Sequence, residues 1–520
     1  MRKYLFGFAL LLILILSIVL RFYKLETYPG LINQDELSNI YDGYTIAETG
    51  ADRWGLQYPI ILRGFGEFDF RPPLNAWLCA ASIKILGYSV FAGRLPSAIL
   101  GFLSLIILFL VAQKIGKNVF AFFAVLFASL SPWHILFSRM AHEGTILPSF
   151  FLILSFYLWL LVKEYNYKLI FIIMLALCTG LATNAYQSTK LIFFILAILF
   201  AFDILKNAKF KLKSIFIFGF FVTLGAFPQL LAAYTMPEHF FTRATNGTVN
   251  QFSISIDFFS NFCLKFYANL APKYLFFSFG DLNNLTIGRL LAAESLFFYC
   301  GLFVFMKVIK PSNKFNSSLI YFLIFVAILP SALTPDNPHA IRSSATMVLF
   351  PLISASGVLF FYNRLKGIWA KEGFLLILFL VVLGNFAFVS KKYFGSHILQ
   401  NMGQQSNVFQ INNKLNKYLT DQRKVYIEDY GNMIYIYNAS FNNMKPLEFQ
   451  NSPKIYEDNG FGGDHFVQLG KYNYLKMNAI DSILNQSAEK YLLVLQSKNK
   501  KYNLVDSLKW DGQTTYFYKN

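Results

Sequence analysis

The chain is dominated by apolar runs long enough to cross a lipid bilayer, and that restricts what it can fold into. A hydrocarbon core of about 30 Å takes about 20 consecutive, mostly apolar residues per helix. Such runs recur through the first four-fifths of the sequence: Tyr4–Leu20, Val90–Val111, Val119–Leu136, Thr145–Val162, Leu169–Ala185, Leu191–Leu205, Ile215–Ala233, Leu290–Val308, Leu319–Leu333, Ala345–Phe361 and Phe374–Val389. We read them as about eleven transmembrane helices. The shorter run Asn75–Leu86 reads as a helix lying at the interface. Composition agrees, with 55% hydrophobic and 14% charged residues, against about 45–50% and about 25% in soluble domains. Met1-Arg2-Lys3 before the first run looks like the start of a signal peptide. No small-residue cleavage site follows, so the run is expected to stay as the first membrane helix.

A formal net charge of +18 would suit a nucleic-acid binder, but its distribution excludes that reading. Lys and Arg cluster in short loops between the apolar runs, where they orient helices. With Arg2 and Lys3 placed in the cytoplasm, the inner loops hold Lys114/Lys117, Lys163/Lys168, Lys206 to Lys213, Lys307 to Lys314 and Arg364 to Lys371. Three large segments then face outward: Phe22–Ser89, Tyr234–Arg289 and everything after Ser390. The expected location is the plasma (inner) membrane. Four cysteines show no metal-ligand spacing and read as small buried hydrophobes.

From Lys391 the chain turns polar and loses spanning runs. Val425–Tyr430, Met433–Tyr437, Tyr491–Leu495 and Thr515–Tyr518 read as strands, and Val408–Leu419 as a helix. The expected architecture is an all-α polytopic membrane domain over residues 1–390, with a small extracytoplasmic α/β domain over 391–520.

The chemistry-bearing residues gather in the outer segments. Asp35 and Glu36 stand about a dozen residues beyond the first run. A carboxylate at a partly dry interface suits a general base. Adjacent helical residues diverge, so the two cannot easily share a role. The alternative is that Asp35 caps a helix beginning near Glu36. Further on, Thr49-Gly50-Ala51-Asp52-Arg53-Trp54-Gly55 ends a helix and turns, and Pro72-Pro73-Leu74 opens the interfacial helix. Arg94 lies in Gly93-Arg94-Leu95-Pro96-Ser97, while Arg139, His142 and Glu143 follow Ser131-Pro132-Trp133. Lys190 follows Tyr186-Gln187-Ser188-Thr189, and His339 and Arg342 share a helical spacing after Pro335-Asp336. Any one of these cations could simply snorkel to the headgroups. Together they set several cations opposite carboxylates on one membrane face.

In order and spacing these motifs resemble the GT-C superfamily. Within it the match is to the protein O-mannosyltransferase and lipid A aminoarabinose transferase group, whose bacterial relatives use polyprenyl-phosphate sugars. The resemblance covers most of the membrane domain and is carried by Arg21-Phe22-Tyr23-Lys24-Leu25 leading to Asp35-Glu36, and by the stretches from Thr49, Pro72, Gly93 and Ser131 just quoted. It implies catalytic roles for Asp35 and Glu36, donor-phosphate binding by Arg94, Arg139, Arg342 and Lys190, and places for His142, Glu143 and His339 at the site. Glu143 stands where many relatives have Asp. The tail from Lys391 has no firm counterpart.

The expected reaction is transfer of a monosaccharide from a polyprenyl-phosphate carrier to an acceptor that is a protein, lipid or glycan, by a single inverting displacement. No cofactor is required by this chemistry, although Asp35, His142 and Glu143 are suited to a divalent metal. A lipid-linked glycan polymerase or ligase is the main rival, expected to put its site in a later outer loop. A transporter would place ionisable groups near the midplane, and the runs here are nearly free of charge.

Overall fold

The structure, a computed structural model, describes residues 2–30, 32–65, 69–238, 240, 256–277, 288–309 and 316–394, and, with short interruptions, 410–519. Helix α1 (Arg2–Phe22) leads to α2 (Gln34–Thr49), to a short ladder of β1 (Leu62–Arg63) with β2 (Phe70–Arg71), and to α3 (Leu74–Leu86). Then come α4 (Val90–Leu130), α5 (Pro132–Phe137), α6 (Ile146–Glu164), α7 (Leu169–Ala182), α8 (Gln187–Asn207) and α9 (Lys211–Thr235). They are followed by α10 (Ile256–Ala268), α11 (Ser295–Val308), α12 (Ser318–Ala332), α13 (Phe350–Arg364) and α14 (Ile368–Tyr393). The last part holds β3 (Lys424–Glu428), α15 (Ile434–Phe441), α16 (Pro446–Asn451), β4 (Lys454–Asp458), β5 (Asp464–Leu469) and β6 (Tyr472–Leu475). It ends with α17 (Met477–Gln486), β7 (Tyr491–Leu495), β8 (Leu504–Trp510) and β9 (Gln513–Lys519).

Two compact units emerge. One comprises Met1–Glu26, Pro72–Asn75 and Arg94–Gly395; the other comprises Thr27–Arg71, Ala76–Gly93 and Ser396–Asn520. The sequence alone groups residues 27–93 with the membrane helices, whereas contacts group most of them with the C-terminal residues.

In the first unit every apolar run falls mainly on helix. The expected number of spans is not supported. Six described helical stretches are long and apolar enough to cross a membrane: α4, α6, α8, α9, α14 and Ser344–Arg364, which joins a 3-10 turn to α13. Phe6–Phe22, α3, α7 and α12 are apolar but shorter. Helix α4 is a special case. Its 41 residues would extend about 60 Å, twice the hydrocarbon thickness. Lys117, at φ 64° and ψ −174°, breaks it, where the sequence places a basic loop. Ser104 before the break and His134 beyond it are hydrogen-bonded at 3.0 Å, so the two segments run back alongside each other.

The C-terminal residues form a seven-stranded sheet in the order β4-β5-β6-β3-β7-β9-β8. Strand β3 lies between β6 and β7 and is parallel to both. Such a strand needs cover on both faces, and its alternation supplies it. Val425, Ile427, Leu492, Val494 and Phe517 face a core shared with α15 and α16, while Tyr426, Leu493, Leu495 and Tyr518 face Ile480 and Leu484 of α17. The Met433–Tyr437 run, expected as a strand, is helical from Ile434. Its alternation of Ile and Tyr mimics a strand because the helix is buried from Ile434 to Ser440, which leaves no polar face to betray the 3.6 period. Met433 itself, Tyr430 and most of the Val408–Leu419 ends lie outside the described residues.

Candidate active site

The acidic turn lies in the second unit, at the start of α2. Asn33 is extended (φ −72°, ψ 165°), and its Oδ1 accepts the Glu36 N–H at 2.7 Å, which makes it the N-cap. Asp35 therefore does not cap the helix. Both carboxylates occupy the first turn, where unpaired N–H groups and the helix dipole favour negative charge. Their surroundings separate them. Glu36 is fully buried, whereas Asp35 is only partly so. The backbone at Asp35 is held by Ser38 Oγ and Asn39 Nδ2, each donating to its carbonyl at 2.9 Å. Gly50, at φ 73°, closes the far end of the helix in the left-handed region.

Two helical turns beyond Asp35, a buried ionic cluster fixes the loop that follows. Asp42 Oδ2 accepts from Arg53 Nη1 at 2.5 Å and Arg71 Nη2 at 3.2 Å. Arg71 also donates to Ser38 Oγ (2.6 Å) and Arg53 to the Gly64 carbonyl (2.6 Å). The Arg53 guanidinium lies over the rings of Trp54 and Phe65. Beside it Asp52 receives N–H bonds from Trp54 and Leu56, both at 2.9 Å. Burial first, and then the Asp42 carboxylate, push the Asp52 pKa up to about 6. The sequence reading missed Asp42 and Arg71. The signal was Asp42 at i+7 from Asp35, on the same helix face.

The remaining site residues lie in the first unit. Arg94 Nη1 donates to the Leu25 (3.1 Å) and Glu26 (3.4 Å) carbonyls. Arg139 donates to the carbonyls of Leu20 (2.7 Å), Tyr23 (2.7 Å) and Lys24 (3.2 Å). Both arginines are fully buried. Arg139 thus satisfies one carbonyl that α1 leaves unpaired at its C-terminus, that of Leu20, and the two arginines together hold the chain that leaves the helix. Next to them Arg21 Nη2 meets His134 Nδ1 at 2.9 Å.

Three of the stretches singled out in the sequence meet at Gly144. A Cβ there would sit 2.2 Å from Ile341 Cγ2 and 3.0 Å from the Tyr186 ring. Ser344 Oγ donates to the Gly144 carbonyl (2.8 Å), and Asn75 Nδ2 to that of Ala141 (2.9 Å). His142 Nδ1 accepts the Gly144 N–H at 3.0 Å, which puts the ring proton of the neutral imidazole on Nε2. The Glu143 carboxylate is 3.6 Å from His142 Nδ1, and the Tyr186 ring stands edge-on to the imidazole. His339 Nε2 lies 3.3 Å from Asp336 Oδ2, and Arg342 donates to the Asp336 carbonyl at 3.0 Å. Arg342 keeps part of its side chain at the surface. Lys190 Nζ lies 3.8 Å over the Phe240 ring. Arg289, which the sequence offered only as the last residue of an outer segment, stacks 3.5 Å over Tyr274, whose hydroxyl meets Ser343. Among the described residues no three His, Cys, Asp or Glu side chains gather as a metal would require. His142 and Glu143 fall in one unit and Asp35 in the other.

Residues 70–232 match the family described as dolichyl-phosphate-mannose-protein mannosyltransferase. No curated protein sequence matches the chain. Among solved structures, ArnT from Cupriavidus metallidurans bound to undecaprenyl phosphate is similar at TM-score 0.54 and 11% identity, over 99% of this chain and 97% of that one. Its apo form gives TM-score 0.55 and 12% identity, over 98% and 97%. AglB from Archaeoglobus fulgidus, in complex with an inhibitory peptide and a dolichol-phosphate, gives TM-score 0.49 and 13% identity, over 84% and 64%. The chain thus shares the fold of ArnT along nearly its whole length, and its residues 70–232 match the dolichyl-phosphate-mannose-protein mannosyltransferase family.

Proposed function

We propose that this protein is an inverting glycosyltransferase that moves a monosaccharide from a polyprenyl-phosphate carrier to an acceptor at the extracytoplasmic face of the plasma membrane. The observation that carries the reading is the split between two adjacent carboxylates. Glu36 is fully buried within its unit, and Asp35, beside it in the first turn of α2, is only partly buried. Support comes from the family match and from the fold shared with a protein crystallised with undecaprenyl phosphate.

Asp35 takes the proton of the acceptor's nucleophilic group as that group bonds to the anomeric carbon. The bond from that carbon to the phosphate oxygen breaks, and the polyprenyl phosphate leaves with the electron pair. The transition state has oxocarbenium character, and one displacement inverts the centre. Arg342, with its planar fork at the surface, and Lys190 receive the donor phosphate. Arg94 and Arg139 brace the chain that leaves α1.

Purified full-length protein in liposomes, supplied with synthetic polyprenyl-phosphate sugars, tests this. Transfer is expected for the wild type, and Asp35→Asn should slow it by about 10²–10⁴-fold, the range for a general base. Near-normal turnover by Asp35→Asn would remove that residue from the chemistry.

A further inference from the structure

The C-terminal domain has no role in the reaction as written so far, yet it is bonded directly to the acidic turn. Tyr437 on α15 donates its hydroxyl hydrogen to the Ile32 carbonyl at 2.9 Å, across 405 positions of sequence. Ile32 immediately precedes the N-cap Asn33 and stands three residues before Asp35. Tyr437 is 1% exposed. Burial, followed by the nearby carboxylates of Asp35 and Glu36, pushes its pKa far up, so the phenol remains a neutral donor throughout the physiological range.

The rest of α2 is tied to the same layer. Tyr41 donates to the Met444 carbonyl at 2.8 Å. Gln450 on α16 donates to Thr49 Oγ1 (3.1 Å) and to the Asp52 carbonyl (2.9 Å). Ile32, Leu37, Tyr41 and Phe65 share one apolar core with Tyr435, Tyr437 and Phe449. The helix is therefore held at its start, middle and end. Of these ties, the Tyr437 bond is the one that falls on the residues leading into the acidic turn. A catalytic group must be kept within about 0.5 Å of its working geometry by residues whose own positions are locked.

We propose that the C-terminal domain positions the acidic turn, with Tyr437 as the positioning residue: its hydroxyl fixes Ile32 and so sets where Asp35 presents its carboxylate. This rests on the reading of Asp35 as the base. Full-length Tyr437→Phe in liposomes keeps the ring and loses the hydrogen bond. Its kcat should fall about tenfold, equivalent to one net hydrogen bond of about 1.4 kcal/mol, with the donor KM unchanged. Gln450→Ala removes a comparable tie at the other end of α2 and should lower the unfolding temperature without lowering kcat. Replacing Tyr437 by para-aminophenylalanine restores an N–H donor and should recover most of the rate. That variant also serves if Tyr437→Phe fails to fold, since a para-amino enzyme as slow as a hundredth of wild type would overturn the proposal. So would unchanged kcat in Tyr437→Phe, or equal kcat losses in Tyr437→Phe and Gln450→Ala. If Tyr437→Phe is normal while Asp35→Asn is dead, only the positioning role falls. If Asp35→Asn is itself near normal, the base falls and this role with it.

Discussion

Gly144 shows how much can depend on one hydrogen atom. Its missing side chain lets Ile341 approach from one stretch and Tyr186 from another. Gly144→Ala should therefore lower stability by about 1–3 kcal/mol, the usual cost of overpacking. Adding Ile341→Ala should return part of that loss, as a double-mutant cycle of unfolding temperatures would show. Asp52 offers a second test at this scale. Its pKa in the fold, about 6, lies above the ordinary carboxylate value. The protonated form thus favours folding; that contribution is complete below the unfolded pKa and is lost as pH rises through about 6. Asp52→Asn should accordingly raise the unfolding temperature at pH 8 relative to wild type and change it little at pH 4. The acidic pair was legible in the sequence because Asp-Glu follows an apolar run. Which of the two is fully buried was not, since it depends on what covers α2 from several hundred residues away.

The end of α1 is the clearest case at the level of an element. The sequence marked Arg94 and Arg139 by charge and place, and charge alone suggests a phosphate partner. In the fold both spend donors on carbonyls between Leu20 and Glu26. Arg139→Ala should then destabilise the protein by about 1.5–3 kcal/mol, the worth of hydrogen bonds to a charged group, when read by thermal unfolding in detergent. A variant of unchanged stability with a raised donor KM would instead make Arg139 a phosphate ligand. Helix α2 was read with its true C-terminal glycine, and capping by Asp35 was weighed only as an alternative; Asn33 and Asp35 are both good caps, and backbone geometry chooses Asn33. Helix α15 was misread for a different reason: total burial erases amphipathic period, which is the one signal that distinguishes short helices from strands.

Over the whole molecule, the membrane character was plain from hydropathy, and the apolar runs do fall on helix. The number of crossings is not confirmed, because α7 and α12, at 14 and 15 residues, are apolar but shorter than the roughly 20 residues a straight span takes. The basic loops predict an extracytoplasmic C-terminal domain, an expectation that can be checked directly. Ser497 is exposed, so Ser497→Cys in a Cys263→Ser background should react with a membrane-impermeant maleimide on intact cells. Protection until the cells are opened would reverse the orientation. Least legible was the partnership between residues 27–93 and the C-terminal domain, since no local pattern announces a contact across such a separation. That partnership also sets a timetable for synthesis. The ribosome completes Ile32 and Asp35 early, and the tyrosine that grips this stretch emerges 405 residues later. At about 5–20 residues per second, the nascent chain holds its acidic turn without that grip for some tens of seconds, so messages cut short before Tyr437 would yield protein whose acidic turn is never fixed.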